Sequence, residues 1–241
     1  MRLATICARA GSKRLPGKNT RELHGKPLWL WTVQQAAESE CFDFLVISTD
    51  DPAVGHSMWL ADDVDGNFKA IRIKRPEELA GDDAGKVPAI RHALMRAEEL
   101  TGHTFDTIVD LDVTAPLRNL DDIRGFCAKL DGMEHGNLVS VCKARRSPHF
   151  NMIEPCKYGG YSLVKPIHQI LRSQDAPACY DLNASLSGWR RKSLLDGGDK
   201  VTNWNTDIYL MPPERSWDID DAHDLEIVEY LMGKQREGVA A

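Results

Sequence analysis

A short apolar run followed at once by a basic, glycine-containing loop is the feature that most restricts how this chain can fold. Residues 3–7 (Leu-Ala-Thr-Ile-Cys) are typical of a buried β-strand. Residues 9–19 (Arg-Ala-Gly-Ser-Lys-Arg-Leu-Pro-Gly-Lys-Asn) contain two glycines, one proline and four cations. Such a loop can direct backbone N–H groups and positive side chains at one small anion. Because open α/β sheets bind ligands where their strands end, we interpret it as a triphosphate-binding loop.

Two well-known phosphate-binding motifs do not fit this loop. A Walker A loop reads Gly-x-x-x-x-Gly-Lys-Ser/Thr. Here five residues separate Gly11 from Gly17, and Asn19 stands where the hydroxyl should be. The Gly-x-Gly-x-x-Gly fingerprint of dinucleotide-binding folds is also absent from the loop. A solvated basic loop that binds nothing is the simpler alternative.

Length, composition and charge set the class of protein. The 241 residues suit one large α/β domain, and 42% hydrophobic residues is ordinary for a protein with a core. A net charge of −6 argues against a nucleic-acid partner, because such partners require many phosphates to be neutralised. We expect no signal peptide and no membrane-spanning segment, and the six cysteines lack Cys-x-x-Cys or zinc-ligand spacing. We therefore expect a cytoplasmic protein with no membrane partner.

Strand-like and helix-like segments alternate along most of the chain. Further strands are predicted at residues 44–49, 71–73, 107–111, 138–142 and 206–211, and helices begin near residues 28, 87, 123 and 225. This alternation indicates an α/β fold with a mostly parallel central sheet and helices on both faces. Residues 143–200 interrupt the alternation with four prolines and short extended pieces. We interpret them as an excursion from a single domain of residues 1–241, useful for pairing subunits or covering a site.

Two aspartates near the C-terminus are candidate metal ligands. Asp218 and Asp220 would leave an extended backbone on the same side, where two carboxylates repel unless a cation lies between them. Hard oxygen ligands suit Mg²⁺, and with the loop cations such an ion would neutralise the charge that develops in nucleotidyl transfer. The alternative is a cap for the final helix, although Asp221 is the better candidate for that position. We find no Ser-His-Asp or Cys-His nucleophile, which favours direct displacement over a covalent intermediate.

A second carboxylate pair ends the second predicted strand. Asp50 and Asp51 precede Pro52. Because aspartate is also a preferred helix N-cap, we favour a capping role for this pair over a binding role.

Six segments, taken in order, resemble the acylneuraminate cytidylyltransferases, which are the CMP-sialic acid synthetases and their nonulosonate relatives. The segments are residues 9–19, Ser48-Thr49-Asp50, Arg75-Pro76-Glu77-Glu78-Leu79, Thr114-Ala115-Pro116-Leu117-Arg118, Tyr180-Asp181-Leu182-Asn183-Ala184-Ser185 and Asp218-Ile219-Asp220. They span most of the chain. One such motif would be weak, whereas six in the expected order make the resemblance strong.

This resemblance implies a Rossmann-like nucleotidyltransferase fold in a homodimer, with residues 143–200 as a small dimerisation excursion. It implies that the substrates are CTP and a nonulosonic acid, a 2-keto sugar acid, and that Mg²⁺ is the cofactor. The anomeric hydroxyl of the sugar would attack the α-phosphate in line. The products would be the CMP-sugar and pyrophosphate.

The resemblance also implies a role for each site residue. It implies catalytic roles for Arg9, Lys13, Lys18 and Asp220; nucleotide binding by Arg9, Ala10, Gly11, Ser12, Lys13, Lys18, Asn19 and Arg75; sugar-acid binding by Asp112, Arg172 and Asn183; and metal binding by Asp218 and Asp220. Arg172 is the natural partner of the sugar carboxylate, because a guanidinium can bind a carboxylate through two hydrogen bonds. By resemblance, the excursion reaches the neighbouring subunit's site, and Arg172 would then serve the partner.

The departures from the family pattern lie on the expected sugar side, and none falls in the triphosphate loop. Asp112 stands where sialic acid enzymes often have Gln, and Lys86 replaces a small polar residue. A carboxylate at position 112 would suit an additional hydroxyl or amide donor of the substrate. We therefore expect a legionaminate-type or other bacterial nonulosonate in place of N-acetylneuraminate.

Three alternatives are open on sequence alone. The Kdo cytidylyltransferases use a similar sheet, but their first loop usually reads Arg-Tyr-Gly-Ser-Thr-Arg-Leu-Pro-Gly-Lys-Pro, so Lys13 and Asn19 favour the nonulosonate branch. Sugar-1-phosphate nucleotidyltransferases usually have a loop richer in Gly and Thr. A non-catalytic nucleotide-sensing module could share the fold. The aspartate pair and both loop lysines argue against that module.

Overall fold

A computed structural model of the chain describes residues 1–55, 69–81, 83–167 and 170–239. The strands are β1 (Arg2–Ala8), β2 (Glu22–Leu23), β3 (Lys26–Pro27), β4 (Phe44–Thr49), β5 (Lys69–Lys74), β6 (Thr107–Leu111), β7 (Asn137–Lys143), β8 (Ile153–Pro155), β9 (Tyr161–Leu163), β10 (Tyr180–Arg190) and β11 (Thr206–Leu210). The helices are α1 (Leu28–Glu38), α2 (Lys86–Thr101), α3 (Leu120–Asp131), α4 (Arg191–Asp196) and α5 (Ala222–Val239).

Seven of these strands form the central sheet in the order β11-β7-β10-β6-β1-β4-β5. All neighbours pair in parallel except β10, which is antiparallel to both β6 and β7. In the middle of the sheet, Leu3 of β1 pairs with Phe44 of β4, and Arg2 pairs with Thr107 of β6. The predicted α/β fold with a mostly parallel sheet is confirmed.

Helices cover both faces of this sheet because its central parallel strands β1, β4 and β6 are buried on both sides. In β1, Ala4 and Ile6 belong to one core with α1, α3 and α5, whereas Leu3 belongs to a second core with α2 and α4. Alternate residues of a strand point to opposite faces, so a continuous apolar run fills two cores. Across the part of the chain that the structure describes, every helix is too short or too polar to cross a membrane.

The structure corrects the bounds of the predicted excursion at residues 143–200. Its later part forms β10, which lies inside the sheet between β6 and β7. Sequence periodicity did not reveal this strand, because its buried positions include small residues in place of branched ones. At Gly188, an added Cβ would lie 2.7 Å from Leu130 and 2.8 Å from Phe126. Outside the central sheet, residues 144–179 carry the separate β8–β9 hairpin, and their role in dimerisation stays a prediction.

The carboxyl ends of the parallel strands position the candidate site. Residues 9–19 follow β1 directly, and residues 112–118 follow β6, its neighbour. The segment that precedes α5 is fixed to the same edge, since the Ile219 N–H donates to the Thr114 carbonyl at 2.9 Å. Three stretches that are distant in sequence thus meet at one edge of the sheet.

The close packing of β10 predicts a stability difference between two glycine variants. Gly188→Val should lower the free energy of unfolding by about 1–3 kcal/mol, because the added methyl groups would displace Leu130 and Phe126 in a packed core. Gly198→Val is the control, because no atom lies within 4 Å of a Cβ built there. Urea unfolding followed by circular dichroism measures both, and equal midpoints would contradict the packing.

Candidate active site

A cleft of about 480 Å³ lies at the carboxyl edge of the sheet. The residues that line it are Cys7, Arg9, Gly11, Ser12, Lys13, Arg14, Lys18, Asn19, Asp112, Thr114, Asp218 and Asp220. The loop after β1 supplies its cations, and the ends of two other segments supply its carboxylates. Most residues that the sequence predicts for the triphosphate and the metal therefore lie in one cleft.

The basic loop keeps its shape through one buried anchor and two local constraints. Leu15 is buried at 3% exposure, so the middle of the loop is tied to the core. Gly17 adopts a φ of 66°, a left-handed conformation that side chains disfavour. The Asn19 side-chain amide donates to the Arg9 carbonyl at 2.9 Å and closes the loop. The cations around it are exposed or half-buried, so they face the cleft on a preorganised backbone.

Asp50 also supports the loop, which differs from the capping role that we favoured. The Ala10 N–H donates to Asp50 Oδ1 at 2.9 Å, so the end of β4 holds the start of the loop. Asp51 instead accepts from the Ala53 N–H at 2.9 Å within a turn. The helix expected after this turn would fall largely at residues 56–68, which lie outside the described residues. A carboxylate at the end of a strand beside β1 was the signal for this contact.

The segment of the late aspartates alternates as the sequence predicts. Ile219 is fully buried, whereas Asp218 and Asp220 line the cleft on the other side. Lys18 joins the loop to this segment: its Nζ donates to the Ile219 carbonyl at 2.7 Å and lies 3.4 Å from Asp220 Oδ1. Arg14 Nη1 lies 3.0 Å from the other oxygen of Asp220. The loop and the aspartates therefore face each other directly.

Asp221 caps the final helix, as the sequence predicts. Its Oδ1 accepts from the N–H groups of His223 and Asp224 at 2.8 Å and 3.0 Å. Asp224 Oδ2 accepts in turn from the Asp221 N–H at 3.1 Å, which completes a reciprocal cap. Because Asp221 fills this role, Asp218 and Asp220 are not needed for capping and can act in the cleft.

Asp218 lies in a largely buried position beside another carboxylate, Asp112. Burial, the largest cause, and the negative charge of Asp112 together raise the pKa of Asp218 to about 6, although Thr114 and Lys18 act to lower it. Its Oδ1 is buried without a hydrogen-bond partner in the described part of the chain. A buried carboxylate oxygen of this kind is a ready ligand for a cation.

Lys86 and two aspartates form a compact charge cluster next to Cys7, and we call these three residues the Lys86 cluster. Lys86 Nζ lies 2.8 Å from Asp110 Oδ2 and 2.5 Å from Asp112 Oδ2. Burial alone would lower the pKa of Lys86, but the two carboxylates raise it well above its usual range. Burial also opposes ionisation of Asp112, yet Lys86 and Thr114 lower its pKa to about 2. Lys86 and Asp112 are therefore both ionised at neutral pH.

Four predicted binding residues do not line this cleft: Ala10, Arg75, Asn183 and Arg172. Arg75 is buried at 5% exposure and donates to the hydroxyl and the carbonyl of Ser48. Asn183 is buried at 3% exposure, with its amide committed to Ser140 and Ser216. Arg172 is exposed on the excursion and pairs with Asp175. Their predicted roles in binding nucleotide and sugar stay predictions.

Comparison of whole structures places this fold among the nucleotidyltransferases. CMP:2-keto-3-deoxy-manno-octonic acid synthetase, solved in complex with CTP, superposes with a TM-score of 0.67 over 97% of this chain and 99% of that chain. The two sequences are 15% identical, so this likeness concerns the fold alone. This chain and that synthetase therefore share one fold.

Sequence comparison defines the family. A family model described as cytidylyltransferase matches residues 3–58. The CMP-N,N'-diacetyllegionaminic acid synthase of Campylobacter jejuni is 36% identical over 232 residues, covering 95% of this chain and 94% of that protein. The post-translational flagellin modification protein B of Campylobacter coli is 36% identical over 234 residues, with 95% and 94% covered. The chain belongs to the acylneuraminate cytidylyltransferase family and is a nucleotidyltransferase.

The raised pKa of Asp218 predicts a pH-dependent cost in stability. The folded protein holds this proton up to about pH 6, whereas a carboxyl with the ordinary value of 3.8 releases it sooner in the unfolded chain. Unfolding thus becomes easier as pH rises through this window. The free energy of unfolding of the wild-type protein, compared with that of Asp218→Asn, should fall between about pH 4 and pH 6. Above pH 6 the difference between the two proteins should stay constant. Urea unfolding across this range in chelator-treated buffer measures the difference, and a constant difference would refute the assignment.

Proposed function

We propose that this protein activates a nonulosonic acid with CTP to give the corresponding CMP-sugar and pyrophosphate. The observation that carries the proposal is the cleft itself, in which loop cations face Asp218 and Asp220 across a cavity at the end of β1. The relative from Campylobacter jejuni is named for making a CMP-legionaminic acid, and the solved neighbour holds CTP. Both names agree with a site for a cytidine triphosphate and a sugar acid.

The chemistry that this arrangement supports is a single in-line displacement. The anomeric hydroxyl oxygen of the sugar forms a bond to the α-phosphorus of CTP and gives up its proton to solvent. The bond from that phosphorus to the bridging oxygen breaks, and pyrophosphate leaves with the electron pair. Arg9, Lys13 and Lys18 stabilise the charge that develops on the phosphate oxygens. Because the loop is held by Leu15 and Asn19, these cations need little reorganisation during the reaction.

We propose that Asp218 and Asp220 bind Mg²⁺. The unpartnered, buried Oδ1 of Asp218 fits a cation ligand, and oxygen donors suit this ion. Within the described residues, no group of three or more His, Cys, Asp or Glu side chains could hold a metal by itself. Two carboxylates are sufficient where phosphate oxygens and water complete the coordination. The bound ion would add positive charge beside the phosphates.

We propose a legionaminate-type acid as the substrate. Asp112 lines the cleft as an ionised carboxylate and can accept a hydrogen bond from an amide or a hydroxyl. The name of the 36% identical relative points to a diacetylated legionaminic acid. A Kdo-type substrate is the alternative, but the Kdo-type neighbour is only 15% identical and supports the fold alone.

We propose that the protein is a cytoplasmic homodimer. Eight of the fifteen exposed large apolar side chains in the described residues fall between residues 152 and 182. Such a concentration of exposed apolar groups is typical of an interaction surface. The six cysteines, all of which are described, are free thiols, as suits a reducing compartment.

Two substitutions test the reaction. Lys18→Ala and Asp220→Ala should each lower pyrophosphate release by roughly 10²–10³-fold, because Lys18 supplies positive charge to the phosphates and Asp220 would hold the Mg²⁺ that supplies more. Lys192→Ala is the control, since this side chain is 88% exposed and pairs only with Asp196. A coupled assay with CTP, Mg²⁺ and the sugar acid measures pyrophosphate release, and circular dichroism verifies that each variant is folded. A wild-type protein that bound CTP but released no pyrophosphate would be a sensing module.

A substrate panel tests the sugar. With CTP in excess, kcat/KM should be highest for N,N'-diacetyllegionaminic acid and lower for N-acetylneuraminic acid and Kdo. The reason is that a carboxylate acceptor such as Asp112 discriminates against acids that lack a matching donor. If N-acetylneuraminic acid proved best by a wide margin, the legionaminate-type assignment would be wrong.

A further inference from the structure

The Lys86 cluster lies beside the cleft. The proposed in-line displacement assigns no role to Lys86 or Asp110. Asp110 sits at its base with a fully buried side chain. One of its oxygens accepts from the Thr5 hydroxyl at 2.8 Å, and the other lies 2.8 Å from Lys86 Nζ. A buried carboxylate requires a paired charge, so Asp110 ties the ammonium of Lys86 in place.

The same ammonium fixes Asp112, which is the member of the cluster that lines the cleft. Asp112 Oδ2 accepts from Lys86 Nζ at 2.5 Å. Its Oδ1 accepts from the N–H of Thr114 at 3.1 Å and from the hydroxyl of Thr114 at 3.0 Å. With both oxygens engaged, the plane of the carboxylate is set, and its remaining lone pairs point in fixed directions.

We propose that Lys86 is a positioning residue that holds Asp112 as an oriented hydrogen-bond acceptor for an N–H or O–H group of the sugar acid. The inference rests on the proposed function and deepens it. An acceptor of this kind selects strongly, because a substrate without the matching donor leaves a desolvated charge without its partner. Lys86 does not touch the substrate in this scheme, since it acts through Asp112.

The competing explanation is that Lys86 only neutralises two neighbouring carboxylates. The variant Lys86→Met/Asp110→Asn separates the two explanations. It removes one positive and one negative charge, so the formal charge of the cluster stays the same while the anchor of Asp112 is lost. Asp110→Asn alone is the matched control, because Lys86 can still hold Asp112. Lys86→Gln/Asp110→Asn restores a shorter hydrogen-bond donor.

Steady-state kinetics with CTP, N,N'-diacetyllegionaminic acid and Kdo give the readout. In the methionine variant we expect the KM for the diacetylated acid to rise roughly tenfold, with the KM for CTP within about twofold of wild type. The preference for the diacetylated acid over Kdo should fall by a similar factor. Asp110→Asn should raise the KM for the diacetylated acid by less than the methionine variant does, because it leaves the hydrogen bond from Lys86 to Asp112 in place. The KM of the glutamine variant should lie between those of the wild type and the methionine variant.

Each other outcome counts against the proposal. An unchanged KM for the sugar acid in the methionine variant would overturn the positioning role, as would an equal rise in the two KM values. If the methionine variant fails to fold, the glutamine variant decides by the same comparison. If the wild-type protein releases pyrophosphate with none of the acids, the proposed function is wrong and the inference fails with it. If the wild-type protein turns over normally and the variants have unchanged kinetics, only the role of Lys86 is wrong.

Discussion

The contact of Lys18 with the segment before α5 is the interaction on which the site depends. Its ammonium binds the Ile219 carbonyl at 2.7 Å and lies near Asp220, although the two parts of the chain are 201 residues apart. Only 15% of the Lys18 side chain is exposed, so this pairing is less screened than a surface pair. A loop with four cations would repel itself in isolation. Asp220 opposite balances part of that charge by pairing with Arg14 and Lys18.

The meeting of these two segments could be predicted because parallel sheets obey a simple geometric rule. Strand β1 was visible as an apolar run, and the loop at its end had to lie at the carboxyl edge. The alternation of Asp218, Ile219 and Asp220 placed both carboxylates on one side of the backbone, with the isoleucine in the core. Such an alternating pattern predicts side-chain directions reliably, because burial of Ile219 in the core fixes the direction of the residues on either side of it.

Other features escaped prediction because they depend on contacts between elements. Asp50 accepts from the Ala10 N–H, where we favoured a helix cap, because the folded chain brings Ala10 next to it. The sequence around Asp50 does not show that Ala10 will be its neighbour. Lys86 was noticed only as a departure, since its partners Asp110 and Asp112 belong to a different strand end. Strand β10 was taken for part of an excursion, because Gly188 faces the crowded side chains of α3 and leaves no apolar signature.

The sugar side of the cleft supplies a physical argument for a second subunit. A sugar acid brings a carboxylate, and the cations that line the cleft in the described part of the chain all belong to the triphosphate loop. Arg172, the predicted partner of that carboxylate, lies exposed on the excursion and pairs with Asp175 in a salt bridge open to solvent. Exposed pairs of this kind contribute little to stability, so Arg172 can exchange Asp175 for another anion at small cost. If the proposed homodimer forms through the excursion, the partner subunit's Arg172 is the residue predicted to meet the sugar carboxylate, and that prediction joins the proposed homodimer to the proposed reaction.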